Sequence, residues 1–270
     1  MLNTTDREYI LRVIAQASER IHDAYHRPIA IEHKGNDLRN EVTSIDREVS
    51  TMIIEALRAH FPNHAIYSEE QAQKNLSTII SQEYLWTIDP IDGTSNFSRH
   101  IPIFSTVVSL LHFGVPIFCI VSNPITNETF MFVKGEGVTR NGVQKETSKK
   151  EKPKDVFALI RAGRVKKYHP WITKIMEEFL AGNIAKHANF GASAYDLSLL
   201  ASGSIEAVIY ATMTTIDIAG AIGMVREAGG EVYSAKGIPV EISYEPQPII
   251  AVASSALFEK MKPLLHLNLT

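Results

Sequence analysis

Apolar residues recur at helical spacing through the first sixty positions and at strand spacing beyond them. Ile10, Val13, Ile14, Ala17 and Ile21 lie three or four apart, which predicts a helix with one buried face. Thr5-Asp6-Arg7-Glu8 just before them reads as its capping box. Thr43-Ser44-Ile45-Asp46 opens a second helix in the same way, carrying Val49, Ile53, Ile54 and Leu57 and stopping before Pro62. Short apolar runs at 65–68 and 84–88 predict strands, one running into Glu69-Glu70 and the other into Asp89. The stretches STVVSLL, PIFCIVS and ETFMFVK predict three more strands, the first two joined by a turn at HFGVP.

The second half alternates. Strands are predicted at 156–160, 205–210, 231–233 and 249–253, with a helix at 171–180 between the first two. Ser193-Ala194-Tyr195-Asp196 and Thr214-Thr215-Ile216-Asp217 read as capping boxes of two further helices, the second ending at Gly229-Gly230. The charged segment QKETSKKEKPKD, 144–155, reads as a surface connection between two halves, about 1–145 and 155–270, of a single domain.

Composition narrows the classes. The chain has 270 residues, 45% hydrophobic and 21% charged, with a net charge of −3, so no basic excess points to nucleic acid. No signal peptide is apparent, and the run from Thr106 to Val121 is too short and too broken to span a bilayer. One cysteine, Cys119, cannot form an internal disulfide and sits in an apolar stretch, so a buried thiol in a reducing, cytoplasmic setting is expected. His22 and His26 lie four apart, a spacing a metal could use, but no third ligand is near them in sequence, and surface histidines are the reading here.

The candidate chemistry is acidic. Asp46, Glu69-Glu70, Asp89 with Asp92, and Asp217 all fall at element ends, where a rigid scaffold presents functional groups. In LWTIDPIDGTSNF, Pro90 fixes the backbone between Asp89 and Asp92, so that both acids and the Ile91 carbonyl can converge. Gly93 allows a close approach of backbone amides, and Thr94-Ser95-Asn96 can start a helical turn with N–H groups free for phosphate. Clustered carboxylates repel one another and need cations; an all-oxygen set favours Mg²⁺ or Mn²⁺ over Zn²⁺. Carboxylates for metal beside amides for phosphate point to metal-assisted phosphoryl transfer to water.

WTIDPIDGTSNF, with VTSID and SEE before it and TIDIAGA…REAGG after it, resembles the inositol monophosphatase family of Mg²⁺-dependent phosphatases. The resemblance implies an α+β fold, a layered αβαβα sandwich in two halves. The first sheet would be mixed or antiparallel and the second smaller, in one catalytic domain that is usually a homodimer. It implies two or three Mg²⁺ ions, Mn²⁺ being an alternative, held by Glu69, Asp89, Asp92, Asp217 and the carbonyl of Ile91. Thr94 and Asp46 would position and deprotonate the attacking water, with Glu70 assisting the ligand set. Asp92, Gly93 and Thr94 would meet the phosphate, and GASAYDL would place Ser193 near the substrate.

Some positions depart from the family pattern. Lys34 lies two residues further from Thr43 than the corresponding lysine, and Ile216 stands where tryptophan is common. Tyr210 takes the position of the glutamate that binds inositol hydroxyls, and as the end of SIEAVIY it is expected at the mouth of the site. The expected substrate is a small polyol or sugar phosphate, with no membrane or nucleic-acid partner. Fructose 1,6-bisphosphate and 3′-phosphoadenosine 5′-phosphate are alternatives, the latter disfavoured by Ser95-Asn96-Phe97 after the threonine. A binding or regulatory protein on the same fold is the alternative of a different class.

Overall fold

The computed structural model describes residues 2–33, 41–70, 79–163 and 165–267. Lys34 therefore lies outside the described residues. The chain opens with α1 (Thr4–Tyr25), whose buried face is Ile10, Val13, Ile14, Ala17, Ile21 and Tyr25. Its cap is Asn3, not Thr5: Asn3 Oδ1 accepts from the Asp6 N–H at 2.9 Å, and Asp6 Oδ2 accepts from the Asn3 N–H at 3.0 Å. Thr5 is already helical. A two-stranded ribbon, β1 (Ile31–His33) with β2 (Glu41–Thr43), leads into α2 (Ser44–His60).

A seven-stranded sheet follows. It comprises β3 (Ala65–Ser68), β4 (Tyr84–Asp92), β5 (Ser105–His112), β6 (Val115–Asn123), β7 (Glu128–Val133), β8 (Gly137–Arg140) and β9 (Val143–Lys145), adjacent in chain order. Only β3–β4 is parallel. The single helical turn α3 (Thr94–Phe97) lies between β4 and β5. The turn read at HFGVP is two residues, Phe113 and Gly114, both at positive φ, the form that matches strand twist.

A second sheet of five strands follows, with the helices that cover it. Its elements are β10 (Phe157–Arg161), α4 (His169–Leu180), β11 (Lys186–Ala188), α5 (Ser193–Ala201), β12 (Ala207–Met213), α6 (Ala219–Glu227), β13 (Glu231–Ser234), β14 (Gln247–Val252) and α7 (Ser255–Leu265). β10 runs parallel to β11 and β12, and β14 antiparallel to β12 and β13.

Alternation along the strands sets the layers. Trp86, Ile88, Val108, Leu110, Phe118 and Ile120 face α1 and α2. Val107, Cys119, Val121, Phe130 and Phe132 face the opposite way, onto α5 and α6, which also cover Val208, Tyr210, Ile249 and Ala251 of the second sheet. Ala158, Ile209 and Ile250 face α4 and α7. The result is the αβαβα sandwich expected of the α+β class. Among the described residues no helix is long and apolar enough to cross a membrane.

The middle layer is tight. A Cβ on Gly220 of α6 would fall 2.1 Å from Ser109 Oγ and 2.7 Å from Cys119 Cβ, so only glycine lets this helix lie so close to the sheet. Cys119 is buried, as its apolar surroundings predicted.

Candidate active site

The acids of DPIDG are brought together by a β-bulge. Asp89 pairs with Val107 and Asp92 with Ser105, so three steps on β4 oppose two on β5. Strict alternation would put residues three apart on opposite faces; the extra residue re-aims Asp92 toward the side of Asp89. Proline suits the position because it has no N–H to lose, and its carbonyl accepts from Thr106 Oγ1 at 2.9 Å. The Asp89 carboxylate turns back to the Ile91 N–H at 3.0 Å. Gly93 then adopts φ +94°, with its Cβ position 3.0 Å from Ala192 Cβ, and α3 closes as Asn96 and Phe97 donate N–H bonds to its carbonyl.

These elements frame a cleft of about 660 Å³ between the two sheets, whose lining includes Glu69, Asp89, Ile91, Asp92, Gly93, Thr94, Ser193 and Asp217. Asp46 lies against it through Thr94: Thr94 Oγ1 is 3.3 Å from Asp46 Oδ1 and 3.0 Å from the Ile91 carbonyl. The other Asp46 oxygen accepts from the Thr43 N–H at 2.8 Å and the Thr43 hydroxyl at 2.5 Å. The VTSID capping box thus aims Oδ1 of a buried acid at Thr94. Asp217 Oδ1 accepts from the Tyr67 hydroxyl at 3.0 Å, and burial followed by that carboxylate pushes the Tyr67 phenol upward, so it stays a donor.

Burial, then the charges of Glu69, Asp92, Asp217 and Asp46, hold the Asp89 carboxyl well above the usual carboxylate range. As they stand, no three acidic, histidine or cysteine side chains among the described residues close round one point. What the cleft offers is an all-oxygen donor set in mutual repulsion, which fits a hard divalent cation.

Asp92 carries a second load. The α5 N-cap residue, Ala192, has no side-chain acceptor. In its place Asp92 Oδ1 accepts from the Ser193 N–H at 2.7 Å, and Oδ2 accepts from Ala194 at 2.8 Å and Tyr195 at 3.2 Å. The reading of Ser193–Asp196 as a capping box is therefore corrected: the carboxylate that caps α5 comes from a strand of the other sheet. Likewise α6 begins at Ala219, and Asp217 faces the cleft ahead of it.

Two candidates lie elsewhere. Tyr210 does not reach the cleft mouth; it is fully buried, and its hydroxyl donates to Asp196 Oδ2. Both faces of β12 are covered, so alternation along SIEAVIY could not tell cleft from core. Glu70 is half-buried beside the site, with its N–H 3.4 Å from Ser68 Oγ, and is not part of the cleft lining. Sequence reasoning passed over Tyr67, Arg161 and Thr212. The only signal for Arg161 was a charge ending the apolar run VFALIR. His22 of α1 and His26, the residue that caps its C-terminus, are exposed and meet edge-on, 4.7 Å apart.

The fold is a layered αβαβα sandwich, and residues 4–267 match the profile of the inositol monophosphatase family. The chain belongs to that family. It is 27% identical over 221 residues to Nus factor SuhB of Escherichia coli K12, covering 82% of this chain and 81% of that protein. It is 26% identical over 269 residues to inositol monophosphatase 1 of Rattus norvegicus, covering 96% and 94%. The extragenic suppressor protein suhB from Bartonella henselae superposes with a TM-score of 0.87 at 22% identity, over 98% of this chain and 100% of that one. An IMPase/NADP phosphatase complexed with Mg²⁺ and phosphate superposes with a TM-score of 0.83 at 20% identity, over 97% and 95%.

Proposed function

We propose that the protein is a Mg²⁺-dependent phosphomonoesterase acting on a small polyol or sugar phosphate. The observation that carries this reading is that Glu69, Asp89, Asp92 and Asp217 line one cleft together with Thr94, whose hydroxyl lies 3.3 Å from Asp46 Oδ1. The related fold seen with Mg²⁺ and phosphate supports it. Glu69, Asp89, Asp92, Asp217 and the Ile91 carbonyl would hold divalent cations, which when bound supply charge neutralisation and polarise the phosphoryl group.

The chain's own groups do the rest. Thr94 Oγ1 has one proton and two acceptors within reach, Asp46 Oδ1 and the Ile91 carbonyl. Donating to Asp46, the hydroxyl offers its lone pairs to a water and orients it; the water's proton passes through Thr94 Oγ1 to Asp46 Oδ1. The αL turn at Gly93 brings the backbone of residues 93 and 94 to the cleft without a side chain in the way, where their amides meet the phosphate. Water attacks phosphorus in line and the leaving oxygen departs as an alkoxide that takes its proton from solvent, with no covalent intermediate; Asp46 then returns the proton it received to solvent. On this reading the protein is a cytoplasmic homodimer acting on a free small ester.

Phosphate release from a panel of small phosphomonoesters tests the proposal. Turnover with Mg²⁺ and none with chelator is the expected result. No release from any ester at millimolar Mg²⁺ would refute it. A partner-binding role, prompted by relatives that carry the name Nus factor, would then take its place.

A further inference from the structure

We propose that Arg161 makes the cleft selective for phosphomonoesters whose alcohol carries a second anionic group, a carboxylate or another phosphate. This rests on the phosphatase reading and names the substrate class within it.

Arg161 ends β10 and pairs in parallel register with Tyr210 of β12. Register partners on neighbouring strands project from the same face, and the guanidinium carbon accordingly sits 4.5 Å from the Tyr210 ring centroid. Its Nη2 donates to Ser193 Oγ at 2.9 Å and contacts Met213 Sδ at 3.5 Å. Stacking on one side and a hydrogen bond on the other fix the fork at the cleft wall.

Hydrogen bonds use little of that fork, although, against the burial that raises them, its charge also pulls down the Asp92 and Asp196 carboxyls nearby. A guanidinium has five N–H donors; here one oxygen, a neutral hydroxyl, accepts from it. Among the described residues Arg161 forms no ion pair. Asp92 directs its oxygens to the N–H groups of α5. Asp196, beneath Tyr210, accepts the Tyr210 hydroxyl. On the same wall Thr212 Oγ1 is buried without a hydrogen-bond partner. A fixed guanidinium in the cleft lining, held beside Ser193 and with Thr212 in the same lining, makes a subsite for an anion on the leaving group. A neutral polyol offers the guanidinium only hydroxyl oxygens, weaker acceptors than a carboxylate or phosphate.

Two matched substrate pairs test this: glycerol 3-phosphate against 3-phosphoglycerate, and fructose 1-phosphate against fructose 1,6-bisphosphate. The first pair adds a carboxylate and the second a phosphate. The wild-type kcat/KM should favour the added anion by about tenfold or more in at least one pair, and Arg161→Gln should collapse that ratio, chiefly through KM. Arg161→Lys keeps the charge without the fork and should retain an intermediate ratio. An Arg161→Gln that slows both members of each pair equally would make Arg161 a support for Ser193 and overturn the proposal. So would a wild-type ratio near one in both pairs. Calorimetric titration of the same esters into Thr94→Ala protein in Mg²⁺ buffer, with and without Arg161→Gln, separates the two readings. Preferential binding of the doubly anionic esters without turnover by the wild type would sink the phosphatase and leave the subsite. Turnover without preferential binding would do the reverse.

Discussion

Replacing Asp92 by Asn changes one atom and asks two questions. The carboxylate accepts three N–H groups of the first turn of α5, one at Oδ1 and two at Oδ2. An amide has a single acceptor oxygen. If that oxygen replaces Oδ1, the NH₂ faces the N–H groups of Ala194 and Tyr195; if it is turned over, it faces Ser193. One or two buried donors are stranded either way, at about 1–3 kcal/mol each. Some of this is returned, because burial raises the Asp92 carboxyl against the pull of those same N–H groups and a neutral amide escapes that cost. A net loss of about 2 kcal/mol, or roughly 4–8 °C in unfolding midpoint for a chain of this size, is the expected result. The assay is thermal unfolding with chelator at pH 7, alongside turnover at saturating Mg²⁺. A midpoint within ~1 °C of wild type would refute the cap. More than roughly a tenth of wild-type kcat would remove Asp92 from the metal set.

Two further outcomes follow from neighbouring groups. Burial pushes the Asp196 carboxyl up to about 8, so the folded state holds a proton that the unfolded chain gives up near pH 4. Wild-type stability should therefore fall by about 1.4 kcal/mol per unit as pH rises from 4 to 8 through this group alone. Asp196→Asn, which keeps an acceptor for the Tyr210 hydroxyl, should flatten that fall in denaturant titrations; parallel curves for the two proteins would reject the assignment. Thr94→Ala should lower kcat far more than it raises KM, because the hydroxyl acts on the attacking water in the transition state. An unchanged kcat with a raised KM would reduce Thr94 to a phosphate contact.

What could be read from the sequence was local. Chain distance hid the rest. The Thr43–Asp46 box is a contact over three residues, and it stands as read. DPIDGT announced convergent acids, but the bulge that makes them converge depends on pairing with Ser105 and Val107. The cap of α5 spans 101 residues, so Ser193–Asp196 looked like a cap of its own. β11 and α7 were not anticipated, the first because three residues carry too little pattern to count. Tyr210 was misplaced because a central strand covered on both faces erases the alternation that would tell inside from cleft.

The tight seat of Gly220 on the sheet has a practical consequence. It closes the α6 side of Cys119, whose thiol burial pushes up to about 12 and whose sulfur accepts from Ser109 Oγ at 3.3 Å. In the folded chain this thiol is neither charged enough nor reachable enough to meet an alkylating reagent. It reacts only when α6 lifts away, and the chain has no other cysteine to confuse the signal. The rate of thiol modification under native conditions therefore clocks the opening of the central layer. The protein carries its own reporter for local opening of the layer between its two sheets.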